Sequence, residues 1–372
     1  MIGTRTKRNA LVFLVLAVSV LLVACGGGND KTSSSSASGS TAASSSGKAK
    51  IGLLLPETKT ARYEAHDRPQ FTNKVKALCP SCTVLYQNAS QDAQKQLTQA
   101  EAMLASGANV LVLDAVDVGS VGPIIKEARQ RHVPVIAYDR LISNQPIADY
   151  VSFDNVRQGR IQAQTLVTKI GKSKPIVMIN GAPTDPSAGD YKKGAHQVFD
   201  NSVKVTKEYD TPDWSPDKAQ REMEQSITAI GKNGFAGVYS ANDGMASGAI
   251  AAMKGAGIDP KTRPITGGDA ELAAIQRIVN GEQYSTIYLT INKQAQSAAE
   301  LAVAAARHQA PPAGLVNGKT DNGAIQVPSV LLTPVAVTKT NIKDTVVKDG
   351  FYKVSDICSG PYKAGCQAIG LM

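Results

Sequence analysis

The strongest constraint on this chain is the regular alternation, from Ile51 onward, of short apolar segments with segments of helical periodicity. The first series of strand-like segments comprises IGLLLP (51–56), TVLYQNA (83–89), VLVLDAV (110–116), PVIAYDR (134–140) and YVSFDN (150–155). The second series comprises PIVMING (175–181), VKVTKEY (203–209), GVYSAND (237–243), PITGGDA (264–270) and YSTIYLT (284–290). Apolar strands that alternate with amphipathic helices predict parallel sheets covered on both faces.

The helical segments have recognisable ends. In SQDAQKQLTQAEAMLASG, the pattern predicts Ser90 as the N-cap and Gly107 as the stop. In WSPDKAQREMEQSITAIG, Ser215 is predicted to cap and Pro216 to occupy the first helical position. Because the strands form two series, we expect two doubly wound α/β domains with a boundary near residues 153–155. A βα barrel is the main alternative.

The N-terminus is typical of an exported protein. MIGTRTKRNA is basic, and the apolar run at 11–24 is shorter than the roughly 20 residues of a membrane span. Residues 1–25 are therefore predicted to be a signal peptide, and Leu22-Val23-Ala24-Cys25 resembles the bacterial lipobox, which predicts lipidation of Cys25. The Gly/Ser-rich residues 26–50 are predicted to be a flexible tether, with a leader of no function as the alternative. These features predict an extracytoplasmic, membrane-anchored protein.

The basic character of the chain comes largely from its leader. Of the formal net charge of +9, the predicted signal peptide contributes +3 and the predicted tether +2. The remaining residues contain no run of Lys and Arg, which argues against a nucleic-acid partner.

Four cysteines lie beyond the tether, in two local groups. We expect the disulfides Cys79–Cys82 and Cys358–Cys366, although four cysteines permit three pairings. The segment CPSC also has the spacing of a redox motif or half a zinc site. No second CxxC and no histidine cluster accompanies it, so neither alternative is favoured and no metal or cofactor is predicted.

Polar side chains come directly after the predicted strands, at the edge where open parallel sheets bind ligands. In the first series they are Asp114, Asp139, Arg140, Asp154 and Asn155, with Arg62 and Tyr63 in the loop after the first strand. In the second series they are Thr184, Asp185, Asn242, Asp243 and Asp269, with Trp214 in the loop DTPDW. Carboxylates, amides and guanidinium groups suit vicinal hydroxyls, and an aromatic ring suits the C–H face of a sugar.

Each of these residues also has a structural interpretation. Asp114, Asp154 and Asp243 could cap helices, and Asp139 with Arg140 could form an ion pair. Trp214 could pack against one domain only. No catalytic constellation is evident, because the four histidines accompany no nucleophile motif and the chain has no phosphate loop. A glycoside-cleaving enzyme would need two suitably placed carboxyl groups, and no such pair is evident.

Several long segments carry a family resemblance. They are VLVLDAV, VPVIAYDRLI, YVSFDNVRQG, YSANDGMASGAI, ITGGDAELAAIQRI and LLTPVAVTKTNIKDTVVKDGF. With these segments the chain resembles the type I periplasmic sugar-binding proteins of ABC importers, and the D-xylose binders most closely. The resemblance implies two Rossmann-like lobes joined by three crossing segments, with a sugar between them. The implied lobes are 51–153 with about 291–325, and 154–290 with about 326–350, with an extension over 351–372.

The resemblance also implies which residues bind the sugar. They are Arg62, Asp139 and Arg140 in the first lobe, and Trp214, Asn242 and Asp269 in the second. Tyr63 falls where the xylose binders have an aromatic residue, and the loop GAPTDPSAG lacks an asparagine pair of the family, for which Asp185 and Ser187 are the expected substitutes. Leu289 stands where the xylose binders have a lysine.

The expected function is that of a monomeric, lipid-anchored receptor without enzymatic activity. It would capture xylose or a similar monosaccharide and deliver it to an ABC permease. The alternative is a sensory receptor whose closed form is read by a membrane kinase or chemoreceptor. A transcription regulator of this fold would need a DNA-binding headpiece where the signal peptide and tether stand. Asp139 and Arg140 are expected to face the sugar and to hold each other's geometry.

Overall fold

The computed structural model describes residues 48–372, so the predicted signal peptide, Cys25 and residues 26–47 of the tether lie outside the described residues. The strands are β1 (Lys50–Leu55), β2 (Thr83–Asn88), β3 (Val110–Leu113), β4 (Val135–Tyr138), β5 (Asp149–Phe153), β6 (Pro175–Asn180), β7 (Lys204–Asp210), β8 (Gly237–Ser240), β9 (Thr286–Tyr288), β10 (Gly318–Asp321), β11 (Gln326–Leu332) and β12 (Val335–Val337). The helices are α1 (Arg68–Leu78), α2 (Ala93–Ala105), α3 (Gly122–Gln130), α4 (Asn155–Ile170), α5 (Pro186–Phe199), α6 (Pro216–Ile230), α7 (Asp243–Gly255), α8 (Leu272–Asn280), α9 (Ile291–Ala306), α10 (Val354–Ile357) and α11 (Lys363–Ala368).

The first lobe is built on a seven-stranded sheet with the order β10-β11-β5-β4-β3-β1-β2. Its neighbours pair in parallel, except for β10 and β11, which are antiparallel. The order 2-1-3-4-5 among the first five strands is that of a doubly wound fold, and the carboxyl ends of these strands meet at one edge. Apolar side chains cover both faces, with Leu53 and Val112 in one core and Leu54 and Leu111 in the other.

The second lobe has a smaller sheet with the order β7-β6-β8. The predicted strand PITGGDA forms only an isolated bridge between Val238 and Ile265. A Cβ atom at Gly267 would lie 1.9 Å from the Asp243 carboxylate, so glycine lets the segment pass close to Asp243. The segment still joins the sheet to β9, because the Ile287 amide donates to the Gly267 carbonyl at 3.1 Å.

Three segments cross between the lobes. They connect β5 to α4, β9 to α9, and β11 to β12. The prediction that 326–350 belongs to the second lobe is wrong for β11, which pairs in parallel with β5 in the first sheet. Only β12 continues into the second lobe, where it pairs antiparallel with β9. The sequence pattern does not predict β10–β12, because the alternation of strands and helices ends at residue 290.

The predicted helix ends are partly correct. The prediction of Ser90 as a cap is wrong, because Asp92 caps α2 by accepting from the Lys95 amide at 2.9 Å. Gly107 comes just after the end of α2 with a φ of +82°, as a helix stop requires. Helix α6 begins at Pro216 after Ser215, as predicted, but the Ser215 side chain makes no capping bond.

Both predicted disulfides are confirmed. Cys79 bonds to Cys82, and Cys358 bonds to Cys366, with Cα–Cα distances of 5.3 and 5.8 Å. The second disulfide lies in the C-terminal extension, whose helices α10 and α11 pack against α8. At the start of this extension the Phe351 ring stacks on His66 with a centroid separation of 4.0 Å. In residues 48–372 no helix is long and apolar enough to cross a membrane.

Helices α4 and α5 approach each other at a pair of glycines. A Cβ atom at Gly159 would lie 1.9 Å from the Tyr191 carbonyl oxygen. A Cβ atom at Gly194 would lie 2.0 Å from the Val156 carbonyl oxygen. Both obstacles are backbone atoms, so this contact sets the position of α5 and of the residues at its start.

We predict that Gly159→Ala destabilises the fold by about 1–3 kcal/mol, because α4 and α5 would have to move apart. Gly189→Ala, on the exposed face of α5 with no atom within 4 Å, is the matched control. It should raise the free energy of unfolding by up to about 1 kcal/mol, since alanine favours the helix. Chemical denaturation checks both values, and equal stability of the two variants would contradict the close contact.

Candidate functional site

A cavity lies between the two lobes, at the carboxyl ends of their strands. All eight residues predicted to bind a ligand line it, namely Arg62, Tyr63, Asp139, Arg140, Asp185, Trp214, Asn242 and Asp269. Three further residues complete the lining, namely Thr60, Tyr191 and Ala241. Tyr191 lies on a helix, so an analysis restricted to strand ends and the loops after them could not find it. That these residues bind a ligand stays a prediction.

Asp139 comes directly after β4 in a left-handed conformation with a φ of +62°. Its amide donates to the Val151 carbonyl at 2.9 Å, and its own carbonyl accepts from the hydroxyl groups of Tyr150 and Ser152. Asp269 repeats this arrangement in the second lobe with a φ of +85° and an amide that donates to the Ile287 carbonyl at 2.9 Å. Each lobe thus turns an aspartate into the cleft by bonding its backbone to the neighbouring strand.

Arg62 reaches the cavity from the loop after β1, and its guanidinium is 4% exposed. It forms a two-bond ion pair with Asp67 at 3.0 and 2.8 Å and donates to the Asp139 carboxylate at 3.2 Å. Burial alone lowers the pKa of Arg62, but the carboxylates of Asp139 and Asp67 outweigh burial and raise it above its ordinary value. The arginine therefore stays charged. Tyr63 also donates to Asp139, at 3.3 Å.

Arg140 points away from Asp139, so the expectation that the two side chains hold each other is wrong. The guanidinium of Arg140 is 1% exposed and lies 3.4 Å from Asp114 and 3.0 Å from Asp185. Asp114 belongs to the first lobe and Asp185 to the second, so Arg140 joins the lobes across the cleft. Burial raises the pKa of both aspartates, and the Arg140 charge opposes the rise.

The second lobe contributes an amide and a carboxylate. Asn242 caps α7 with its side-chain oxygen, which accepts from the Met245 amide at 2.9 Å, so its NH₂ group is left for the cavity. Within residues 48–372, no side chain or amide donates to the Asp269 carboxylate. Burial raises the pKa of Asp269, and the charge of Arg62 opposes the rise. Asp269 thus presents a hydrogen-bond acceptor to the cavity.

Trp214 forms one wall of the cavity. It sits at the end of a short turn with a φ of +52°, and its indole N–H donates to Asp185 at 3.2 Å. A Cβ atom at Gly181 would lie 2.0 Å from the indole ring, so glycine leaves the space that the ring fills. Tyr191 meets the ring edge-on with a centroid separation of 6.3 Å. These contacts all lie within the second lobe, as the structural alternative predicted, and the ring also lines the cavity.

Other polar residues at strand ends lie outside the cavity. Asp154 caps α4 by accepting from the Arg157 amide, as the structural alternative predicted. Asp114 is buried behind Arg140, and Asp243 accepts from Gln283 and Thr286, so neither acts as a cap. Asn155 bonds to Ser187, and Thr184 is exposed.

The cavity therefore presents two permanent cations, three carboxylates, one free amide and an aromatic wall. This set suits a neutral ligand that carries several hydroxyl groups, because each hydroxyl donates one hydrogen bond and accepts others. In residues 48–372, no cluster of three His, Cys, Asp or Glu side chains could hold a metal ion.

We predict that Gly181→Ala shifts the fluorescence emission of Trp214, because the added methyl group displaces the indole ring. Trp214 is the single tryptophan, so the emission spectrum reports this one site. Gly189→Ala serves again as the control and should leave the spectrum unchanged. An unaltered spectrum in Gly181→Ala, with the fold intact by circular dichroism, would show that the ring does not fill this space.

Comparison with known proteins places this geometry in a family. Residues 51–310 match the periplasmic binding protein domain. The chain is 37% identical over 313 residues to the D-xylose-binding periplasmic protein of Haemophilus influenzae, covering 83% of this chain and 92% of that protein. The protein of the same name from Escherichia coli is 36% identical over 315 residues, with coverage of 83% and 93%.

Solved structures agree with this match. A carbohydrate transporter solute-binding protein from Chloroflexus aurantiacus, in complex with D-glucose, superimposes with a TM-score of 0.73 at 26% identity, covering 82% of this chain and 97% of that one. The fold with two α/β lobes and three crossing segments is that of the type I periplasmic binding proteins. The chain belongs to the periplasmic binding protein family, whose members bind ligands and are not enzymes.

Proposed function

We propose that this protein captures a monosaccharide, xylose or a similar sugar, in the cavity between its lobes. The observation that carries the proposal is the convergence of Arg62 and Asp139 from one lobe with Asn242 and Asp269 from the other, beside the Trp214 ring. The names of the D-xylose-binding relatives support a pentose or a closely related sugar.

The polar groups fit sugar hydroxyls one by one. The Asp269 carboxylate accepts from a hydroxyl, and the Asn242 amide and the Arg62 guanidinium donate to hydroxyl oxygens. A site built in this way discriminates strongly, because an analogue without the hydroxyl leaves a buried polar group unpaired. The indole of Trp214 covers the apolar face of the ring.

Binding couples to closure of the lobes. The polar groups come from both sides of the cleft, so only the closed form makes every contact, and the three crossing segments act as the hinge. The ion pair between Arg140 and Asp185, at 3.0 Å, also spans the cleft and stabilises the closed arrangement. The closed protein, acting as a monomer, then delivers the sugar to an ABC import permease.

Anchoring by a lipid on Cys25 would keep the receptor beside that permease. The lipobox-like sequence before Cys25 and the Ser-rich residues after it support this proposal.

We predict saturable quenching or enhancement of Trp214 fluorescence when the protein is titrated with xylose, and weaker responses with glucose, ribose, arabinose or galactose. Calorimetric titration measures the affinity independently of the fluorophore. If neither method detects binding of any of these sugars, the proposed function fails.

Asp139→Asn tests the site within the same titration. Asparagine tolerates the left-handed φ of this position but removes the charge that Arg62 contacts, so we expect an affinity loss on the order of 100-fold. Asp92→Asn is the matched control, because it changes an exposed cap of α2 away from the cavity and the crossing segments, and asparagine caps equally well. Equal affinity of the two variants would show that Asp139 does not contribute to ligand binding.

For the anchor, we predict that Cys25→Ala moves the protein from the membrane fraction to the soluble extracytoplasmic fraction, because no thiol remains to carry a lipid. Metabolic labelling with a fatty-acid analogue should mark the wild-type chain and leave the variant unmarked. Retention of the variant in the membrane fraction would mean that another feature anchors the chain.

A further inference from the structure

Gln294 lies behind the cavity, on the first turns of α9, and does not line the cavity. Its side chain is fully buried, with 0% exposure. The side-chain nitrogen donates to the Asp139 carboxylate at 3.1 Å and to the Val151 carbonyl at 3.3 Å. The side-chain oxygen accepts from the Arg62 guanidinium at 2.5 Å. A single amide thus contacts the cation and the anion that face the ligand.

The partners determine which end of the amide faces which charge. A guanidinium only donates hydrogen bonds and a carboxylate only accepts them, so the oxygen must face Arg62 and the nitrogen Asp139. A glutamate carboxylate at this position would repel Asp139, and a lysine would repel Arg62. An apolar side chain would leave Arg62 and Asp139 each without one hydrogen-bond partner. Among side chains of this length, a neutral amide meets both requirements.

We propose that Gln294 is a positioning residue, which holds Arg62 and Asp139 in the arrangement that binds the ligand. This inference rests on the proposed sugar-binding function. Helix α9 starts directly after the segment that crosses from β9, and in its first turn the backbone amide of Gln294 donates to the Thr290 carbonyl at 3.0 Å. Gln294 therefore also ties the start of α9, next to the hinge, to the first-lobe half of the site.

The test is a comparison of Gln294→Glu and Gln294→Leu with the wild-type full chain, by calorimetric titration with xylose between pH 5 and pH 8. At pH 8 we expect both variants to bind at least about 10-fold more weakly than wild type. Gln296→Glu is the matched control, since that side chain lies on the same helix, contacts Gln70 and does not line the cavity. Its affinity should equal that of wild type.

The pH profile separates positioning from a general structural effect. A protonated glutamic acid presents a carbonyl oxygen to Arg62 and an O–H to Asp139, as the amide does. Burial and the nearby Asp139 raise the pKa of such a glutamate, so the affinity of Gln294→Glu should recover towards wild type as the pH falls. Gln294→Leu should stay weak throughout. Besides Asp139 and Arg62, the titratable groups around this position are Asp67, Tyr63, Tyr138 and His66, which bonds to Asn292 on the same helix, and all are common to all variants.

The outcomes are distinct. No binding of any sugar by the wild-type chain overturns the proposed function and this inference with it. Binding by wild type together with unchanged affinity in both Gln294 variants overturns the inference alone. Equal weakening of Gln294→Glu at every pH also overturns it, because a purely steric defect does not respond to a proton. Recovery at low pH in Gln294→Glu but not in Gln294→Leu is the expected result, and it also demonstrates that the variant is folded.

Discussion

The guanidinium of Arg62 is nearly excluded from water, and the rest of the site is arranged around that charge. A buried cation is costly unless it is paired and hydrogen-bonded, and Arg62 meets this condition with Asp67, Asp139 and Gln294. Because these partners come from the loop after β1, the end of β4 and α9, the ion pairs also align three separate elements. The need to pair the buried charge of Arg62 thus fixes the positions of the elements that form the first-lobe half of the cleft.

Arg140 plays a different part, because its partners lie on opposite sides of the cleft. Asp114 neutralises it within the first lobe, and Asp185 contacts it from the second. Opening the lobes would remove only the second partner, so Arg140 keeps a counter-ion in either state. Asp185 in turn is fixed by its cap on α5 and by the Trp214 indole. The two arginines therefore have different roles. Arg62 holds together the first-lobe half of the site, and Arg140 links the two lobes.

Much of this arrangement could be predicted from the sequence. The strands and their polar ends are local patterns, so cavity residues such as Asp139 and Asn242 are recognisable from their positions just after a strand. The partners of those residues are not recognisable, because neighbours in the chain such as Asp139 and Arg140 point in different directions once φ becomes positive. Gln294 lies 155 residues from Asp139, on a helix without any polar strand-end signal, and only tertiary structure brings the two together.

The glycine contact between α4 and α5 has a consequence for how such a receptor can acquire new ligands. With backbone atoms this close at Gly159 and Gly194, helix α5, which Asp185 caps, cannot slide along α4 to widen the cleft. A larger or smaller ligand must instead be accommodated by exchanging the side chains that project from this rigid frame. Diversification of ligand preference in this architecture would then proceed through a few wall positions, such as Tyr191, while the helix pair stays as it is.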